Sequence, residues 1–306
     1  MPRHISILFP GQGSQSLGML NNYSIDLLNS YKKDITDILG FNLLDIIKNG
    51  PLEDLNRTSV TQPAILLTSI LDFYNISKEL DLKPNLLCGH SLGEYSALVA
   101  ANSISLLEGI SLVHKRGKLM EKCPKGVMCA VLNTDIKIIR DICVEVENDI
   151  NSIVTPANLN SPNQIVISGI EEGVDEVVKR LKESGHKKCI KLEVSVASHS
   201  KVMNNTLEKF NDELNKIKIA PPEYSIIQNV NNNTTESIDE LKKNLLNQLT
   251  MPVQWINTME YIKKYNGIVI ECGPKKVLSG LAKANGIDNI YSTSSPDFFD
   301  KIKEVL

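Results

Sequence analysis

The sequence predicts an α/β fold built on a mostly parallel sheet, with a second, smaller domain inserted into it. Apolar strands alternate with helical patterns in the first and last thirds of the chain, which is typical of a parallel sheet covered on both faces. Between residues 127 and 196 the pattern changes to strand, helix, strand, strand, helix, strand, which is the ferredoxin-like order. A chain of 306 residues is long enough for both units. We therefore predict a large domain over residues 1–124 and 197–306, and a small ferredoxin-like domain over residues 125–196.

The large domain begins with a short apolar strand that runs directly into a polar, glycine-rich loop. A helix is predicted over residues 61–80, and a strand, a turn and a second helix follow from residue 86. After the inserted domain we expect a helix following residue 199, a strand over 225–230, two helical stretches between 238 and 265, and an apolar strand over 267–272. The small domain has predicted strands over residues 127–132, 153–157, 164–168 and 189–196, and predicted helices over 137–147 and 174–183.

Composition and charge exclude several classes of function. The net charge is −3 and the pI is about 6.0, so nothing indicates binding to nucleic acid. We also expect no association with a membrane, because no apolar run approaches the length of a membrane span and no signal peptide is present. The six cysteines form no CxxC pair and no metal-ligand spacing. A cytoplasmic enzyme in a reducing compartment is the expectation.

The most informative stretch is Gly89-His90-Ser91-Leu92-Gly93, which follows an apolar strand and precedes a helix with an apolar face. A strand–Gly-x-Ser-x-Gly–helix unit presents a serine hydroxyl on a tight turn, and the free N–H groups of the helix N-terminus can bind an oxyanion there. An ordinary structural turn is the alternative. We interpret Ser91 as a nucleophile, and we expect the large domain to be α/β-hydrolase-like.

A serine nucleophile needs a base, which is usually a histidine. His199 follows the predicted strand over 189–196, and strand ends are where α/β enzymes carry catalytic side chains. From position alone, a loop histidine without a role is equally compatible. The other histidines are expected elsewhere: His4 at the chain start, His90 in the turn but pointing away from Ser91, His114 on a polar helix face and His186 in a solvated turn. No downstream Asp or Glu is clearly placed to orient His199.

One arginine lies on the wrong face of a predicted helix. Ser105 and Glu108 form the pattern of a capping box that opens a helix ending near Lys122. At 100° per residue, Arg116 falls inside the apolar arc, where it is the only charge. A buried arginine is costly without an anion, so it needs either a structural carboxylate or a substrate carboxylate held in bidentate fashion. The spacing does not decide between them.

These motifs together resemble the malonyl-CoA:acyl-carrier-protein transacylase family, and the resemblance covers essentially the whole chain. Each motif alone is weak, but their order and spacing are specific. The matching segments are FPGQGSQ (9–15), TQPA (61–64), GHSLGEY (89–95), RGKLM (116–120), NSPNQ (160–164), VSVASH (194–199), PVQW (252–255) and ECGP (271–274).

The resemblance implies a role for each part of the site. Ser91 would attack the thioester of malonyl-CoA, and His199 would act as base and then as acid. The backbone N–H groups of Gln12 and Leu92 would form the oxyanion hole, and Arg116 would hold the malonyl carboxylate. In the family a main-chain carbonyl orients the histidine, here that of Gln248, which accounts for the missing carboxylate. Asn160 would contribute to substrate binding.

The resemblance also implies partners. The malonyl group would pass from malonyl-CoA to the phosphopantetheine thiol of acyl carrier protein, in fatty-acid synthesis, with no metal or redox cofactor. We expect a monomer. Because carrier proteins are acidic, Lys187 and Lys188 are candidates for docking, with Lys275 and Lys276 second. The competing function is a serine hydrolase or thioesterase that uses the same Ser91–His199 pair.

Overall fold

The computed structural model describes residues 3–194 and 196–306; Ser195, in the predicted strand over 189–196, lies outside the described residues. The strands are β1 (Ile5–Phe9), β2 (Leu86–Gly89), β3 (Val127–Leu132), β4 (Val154–Ser161), β5 (Gln164–Gly169), β6 (Cys189–Lys191), β7 (Ser225–Ile227), β8 (Ile268–Glu271) and β9 (Ile290–Ser292). The helices are α1 (Ile25–Leu39), α2 (Leu43–Asn49), α3 (Leu52–Leu55), α4 (Thr58–Leu80), α5 (Gly93–Ala100), α6 (Leu106–Glu121), α7 (Ile136–Ile150), α8 (Glu171–Glu183), α9 (Leu207–Asn215), α10 (Ile238–Asn247), α11 (Trp255–Lys263), α12 (Val277–Ala284) and α13 (Phe298–Lys303).

The larger sheet has five strands in the order β7-β2-β1-β8-β9, and every pairing is parallel. The central strand β1 is apolar and almost completely buried, as expected for a strand covered by helices on both faces. Its neighbours β2 and β8 are equally buried. The predicted α/β class with a mostly parallel sheet is therefore confirmed.

Parallel strands place their carboxyl ends at one edge of the sheet, and this edge carries the candidate residues. The glycine-rich loop that begins at Pro10 follows β1, and the Ser91 turn follows β2. Gln228 and Asn229 follow β7, which lies beside β2. Three segments that are far apart in sequence therefore meet at one place.

The second sheet has four strands in the order β4-β5-β3-β6, and all of its pairings are antiparallel. Helices α7 and α8 pack on one face of this sheet through a separate apolar cluster. The other face carries Met128, Ala130, Ala157 and Val166, with Leu192 and Val194 packed against them. Val253, between α10 and α11, bonds to β4, since its N–H donates to Ala157 O at 2.9 Å and its carbonyl accepts from Leu159 N at 3.0 Å. Its side chain packs in the apolar cluster of the large sheet with Leu8 and Leu86, so this residue contacts both sheets.

The last strand of the small sheet is shorter than predicted. Strand β6 ends at Lys191 instead of continuing to residue 196. Beyond it the N–H of Leu192 still donates to Met128 O at 2.9 Å, but the N–H of Val194 turns back onto Leu192 O at 2.8 Å. This tight turn ends the ladder, although the alternation of apolar and polar residues continues through it.

Helix α6 begins with the predicted capping box. Ser105 Oγ accepts from the Glu108 N–H at 3.2 Å, and the Ser105 N–H donates to Glu108 Oε2 at 3.0 Å. The predicted exposure of His114 is wrong, since this side chain is buried and its Nδ1 lies 2.7 Å from Ser59 O. Helix α4 covers this face of α6, and a Cβ at Gly117 would lie only 2.6 Å from Ser59 Cα. The close approach of the two helices removes His114 from water.

All six cysteines are free thiols. Within the described residues, none of the helices combines the length and the apolar character needed to cross a membrane.

Candidate active site

Ser91 lies in a strained turn between β2 and α5. Its φ is +52°, in the left-handed region that a residue with a side chain rarely adopts. The flanking glycines permit this turn: a Cβ at Gly93 would lie 1.9 Å from Phe9 O, and a Cβ at Gly89 would lie 1.9 Å from the carbonyl carbon of Gly93. Strand, turn and helix therefore pack more closely here than any other residue allows, and they fix the serine backbone.

Asn229 holds this turn in place, a role that none of the sequence motifs predicts. The Ser91 N–H donates to Asn229 Oδ1 at 2.7 Å, and Asn229 Nδ2 donates to Gly89 O at 2.6 Å. One amide side chain thus joins both sides of the turn. The signal that could have found it is its position just past β7, at the same sheet edge as Ser91.

His199 contacts the Ser91 hydroxyl directly. Its Nε2 lies 2.8 Å from Ser91 Oγ, and its Nδ1 lies 2.7 Å from the main-chain carbonyl oxygen of Gln248. Gln248 follows the last residue of α10, where carbonyl groups have no partner within the helix. Because a carbonyl can only accept, Nδ1 carries the proton and Nε2 is free to accept the serine proton. The structure brings Ser91, His199 and Gln248 together as the resemblance implied.

His199 is neutral. Burial and, to a smaller extent, the nearby Arg116 guanidinium together lower the pKa of its imidazole to about 3. The hydrogen bond to the Gln248 carbonyl opposes this shift but does not reverse it. The imidazole is therefore ready to accept a proton across the whole neutral pH range.

Arg116 is buried, with 1% of its surface exposed, and all of its polar partners are neutral. Its Nη1 donates to Gln62 Oε1 at 3.0 Å, and its Nη2 donates to Gln248 Oε1 at 3.0 Å and more weakly to Ser91 Oγ at 3.4 Å. Its Nε has no hydrogen-bond partner among the described residues. The Tyr95 ring centroid lies 5.3 Å from the guanidinium carbon.

A structural carboxylate is one explanation for a buried arginine, but within the described residues Arg116 forms no ion pair. The carboxylates that form ion pairs there bind other cations. A buried cation next to a nucleophile, without a carboxylate in contact, is a place for an anionic ligand.

A cavity of about 100 Å³ lies beside these groups, and residues from both parts of the fold line it. The large sheet's edge and its helices contribute Ser91, Arg116 and Gln12. The small sheet and the turn after it contribute Met128, Leu192 and Val194. The ligand space is thus polar on one wall and apolar on the other, as expected for a pocket that orients a small acyl group.

Gln12 and Leu92, the two predicted oxyanion-hole residues, both line this cavity. Among the hydrogen bonds of the described residues, the backbone N–H groups of Gln12 and Leu92 donate none. Both donors are therefore available to a ligand. Their role at an oxyanion stays a prediction.

Asn160 lies behind the cavity wall rather than on it. Its Oδ1 lies 2.8 Å from His90 Nε2, and its Nδ2 donates to Gln164 Oε1 at 2.9 Å. Of the cavity-lining residues, Asn158 comes from the same strand. His90 is engaged by Asn160 and lies against the Trp255 ring, so it is not the base for Ser91.

The docking candidates are exposed. Lys187 and Lys188 lie in the turn before β6, and Lys275 and Lys276 lie in the loop before α12. None of the four belongs to the cavity lining. The geometry leaves all of them accessible to a partner.

Comparison with known proteins identifies the family. The family model described as acyl transferase domain matches residues 7–285. This chain belongs to that family. Among curated relatives it is similar to malonyl CoA-acyl carrier protein transacylases, at 38% identity over 289 residues for the protein of Haemophilus influenzae and 36% over 285 residues for that of Escherichia coli. The first alignment covers 92% of each chain, and the second covers 91% of each.

Solved structures of the same family agree over the whole chain. The malonyl CoA-acyl carrier protein transacylase of Coxiella burnetii matches with a TM-score of 0.94 at 33% identity, covering 100% of this chain and 98% of that chain. A malonyl-transacylase in complex with a type II polyketide-synthase acyl carrier protein matches with a TM-score of 0.91 at 33% identity, covering 98% and 99%.

The neutral state of His199 gives a testable prediction. Because its pKa is lowered to about 3, the imidazole should stay uncharged, with the proton on Nδ1, from pH 5 to pH 8. Nitrogen-15 NMR of the imidazole in ¹⁵N-histidine-labelled protein measures this, with a His199→Gln variant to assign the signals. A His199 resonance that titrates between pH 5 and pH 8 would contradict the geometry described above.

Proposed function

We propose that this chain transfers the malonyl group from malonyl-CoA to the phosphopantetheine thiol of acyl carrier protein, through a malonyl-serine intermediate, and so supplies extender units for fatty-acid synthesis. The observation that carries the proposal is Arg116, a buried guanidinium without a carboxylate partner, 3.4 Å from the Ser91 hydroxyl. The curated relatives bear the name of this activity.

In the first half-reaction Ser91 Oγ attacks the thioester carbonyl carbon while His199 Nε2 accepts the hydroxyl proton. The carbonyl oxygen becomes an oxyanion, which the free N–H groups of Gln12 and Leu92 stabilise. When the tetrahedral intermediate collapses, the C–S bond breaks and His199 returns the proton to the CoA sulfur. The products are an oxygen ester on Ser91 and free CoA.

In the second half-reaction the carrier-protein thiol takes the place of CoA. His199 accepts the thiol proton as the sulfur attacks the malonyl ester, and it then returns that proton to Ser91 Oγ. The main-chain carbonyl of Gln248 orients His199 and stabilises the imidazolium that forms in each half-reaction, as a carboxylate does in a Ser-His-Asp triad. Asn160 supports the site through His90, and a direct contact with substrate stays a prediction.

The chemistry requires no cofactor. Each half-reaction exchanges one acyl bond for another, and no atom changes oxidation state. The proton that leaves the nucleophile returns to the leaving group through His199. We therefore propose that neither a metal ion nor a redox group takes part.

A serine hydrolase that uses the same Ser91–His199 pair is the second candidate function. Arg116 favours the transferase. A buried guanidinium lowers the pKa of the neighbouring His199, and a hydrolase of neutral esters gains nothing in return. A substrate that carries its own carboxylate compensates the buried charge.

We propose the finer architecture on the same basis. The sheet order β4-β5-β3-β6 with two helices on one face supports a ferredoxin-like domain over residues 125–196. The strained serine turn after β2 supports an α/β-hydrolase-like description of residues 1–124 and 197–306. A monomer in the cytoplasm remains our expectation for the assembly and location.

The carrier protein docks, in our proposal, against Lys187 and Lys188. Both are exposed and lie in the turn that leads to β6, a few residues before the cavity-lining Leu192. Lys191, in contrast, is paired with Glu171 and Asp175. Within the part of the chain that the structure describes, neither Lys187 nor Lys188 forms an ion pair. Acidic partners are attracted to such basic groups, and the attraction falls with salt.

The function is tested by intact-mass spectrometry after mixing with malonyl-CoA. The protein should gain one malonyl group, because the serine ester persists until a thiol acceptor arrives, and Ser91→Ala should gain none. Adding a phosphopantetheinylated acyl carrier protein should move the group to the carrier. Continuous CoA release without a carrier would contradict transfer and favour the hydrolase.

The docking surface is tested by reversing its charge. Lys187→Glu with Lys188→Glu should raise KM for the carrier protein about tenfold, since each reversal places like charges together, and should leave malonylation of Ser91 by malonyl-CoA unchanged. Lys32→Glu with Lys33→Glu, an equally exposed pair on α1, is the matched control. An unchanged KM for the carrier protein would exclude this surface.

A further inference from the structure

Glu94 is a buried carboxylate that the mechanism above does not use. It lies in the first turn of α5 and is 1% exposed. Within the described residues it takes part in no ion pair shorter than 4 Å; its charge is compensated by hydrogen bonds and by the field of Arg116. A buried carboxylate is costly, so its contacts indicate what it does.

Two hydrogen bonds of Glu94 lead to groups that hold Ser91. Its Oε2 accepts from Gln248 Nε2 at 2.7 Å and from the Asn229 N–H at 3.1 Å. Gln248 Nε2 also donates to Ser91 O at 3.0 Å, and Asn229 Oδ1 accepts from Ser91 N at 2.7 Å. Glu94 therefore contacts the nucleophile's backbone through two intermediaries.

The Gln248 side chain lies between Glu94 and Arg116. Its Oε1 accepts from Arg116 Nη2 at 3.0 Å, while its Nε2 faces the Glu94 carboxylate. An ionised carboxylate only accepts hydrogen bonds, and a guanidinium only donates them. One orientation of the Gln248 amide satisfies both neighbours, and the flipped orientation satisfies neither.

We propose that Glu94 is a positioning residue for malonyl transfer, whose carboxylate fixes the Gln248 amide so that this amide holds Arg116 toward the incoming carboxylate. The inference rests on the proposed function. It assigns to Glu94 an effect on the charged substrate in particular, because Arg116 is the group that Gln248 holds. The His199 contact uses the main chain of Gln248 and depends less on the side-chain amide.

Ionisation of Glu94 is a condition for this role. Burial raises the pKa of Glu94 to about 7, against the opposing effects of its hydrogen bonds and of Arg116. The other ionisable groups that face it are Arg116 of α6, the Cys88 thiol of β2 and the Tyr95 hydroxyl of α5. Burial raises the pKa values of Cys88 and Tyr95, so both stay neutral near pH 7.

A raised pKa means that the carboxylate is present above about pH 7 and is lost as the pH falls below it. A protonated Glu94 can donate as well as accept a hydrogen bond, so it no longer selects one orientation of the Gln248 amide. Malonyl transfer should therefore weaken below pH 7, and acetyl transfer, which does not need Arg116, should weaken less.

Glu94→Gln tests the proposal, because it keeps the size of the side chain and removes its charge. We expect kcat/KM for malonyl-CoA to fall about 10- to 100-fold, the usual effect of losing a charge-assisted contact, and kcat/KM for acetyl-CoA to fall by less than about threefold. The loss of malonyl transfer below pH 7 should disappear in this variant. Glu271→Gln is the matched control, since Glu271 is also buried but accepts from the N–H groups of Leu278 and Ser279.

The outcomes distinguish a failure of the Glu94 positioning role from a failure of the proposed function. If the wild-type protein forms no malonyl-serine, the proposed function is wrong, and the Glu94 role that rests on it falls with it. If the wild-type protein is malonylated but Glu94→Gln lowers both substrates equally, or keeps the acid-side loss, the positioning role is wrong. If Glu94→Gln does not fold, the wild-type ratio of malonyl to acetyl transfer from pH 5.5 to pH 8.5 decides, and a constant ratio overturns the proposal.

Discussion

A buried guanidinium without a contacting carboxylate is the constraint on which the rest of the site depends. Arg116 lies in a helix whose surroundings are apolar, and the side chains that accept its hydrogen bonds are neutral amides and one hydroxyl. Removing a cation from water without an anion is expensive. The surrounding residues reduce this cost only in part, and a ligand carboxylate completes the compensation. Selectivity for a charged acyl group then follows from the same charge that destabilises the empty site.

Gln248 connects this cation to the nucleophile. Its main-chain carbonyl accepts from His199, while its side-chain amide contacts Arg116, Glu94 and the Ser91 backbone. The residue is available because α10 ends just before it, which leaves its carbonyl without a helical partner. A single position thus orients both the base and the carboxylate-binding group. This explains how the site functions without an acidic residue beside the histidine.

The parts that could be predicted from the sequence have local signatures. The glycines around Ser91 indicate a strained turn, and the helical period reveals Arg116 on an apolar face. The role of Asn229 has no local signature, because it is 138 residues from the serine whose backbone it holds. Glu94 lies close to Ser91 in sequence, but the partners that define its role, Asn229 and Gln248, are 135 and 154 residues away. Long-range pairing of this kind depends on which strands become neighbours. The helical period places His114 on a polar face, because the periodicity of one helix does not reveal how closely α4 covers it. The alternation of apolar and polar residues predicts a last strand of the small sheet that reaches residue 196, but β6 ends at Lys191 because a tight turn interrupts the ladder while the alternation continues.

The discrimination between malonyl-CoA and acetyl-CoA by Arg116→Ala tests the central claim most directly. Loss of a charge-assisted contact should cost malonyl transfer about 2–4 kcal/mol in transition-state binding, while acetyl transfer is retained or increased because the buried charge no longer needs compensation. The quantity to measure is kcat/KM for each substrate with wild-type protein and with the variant. Equal losses for the two substrates would contradict the claim that Arg116 recognises the carboxylate.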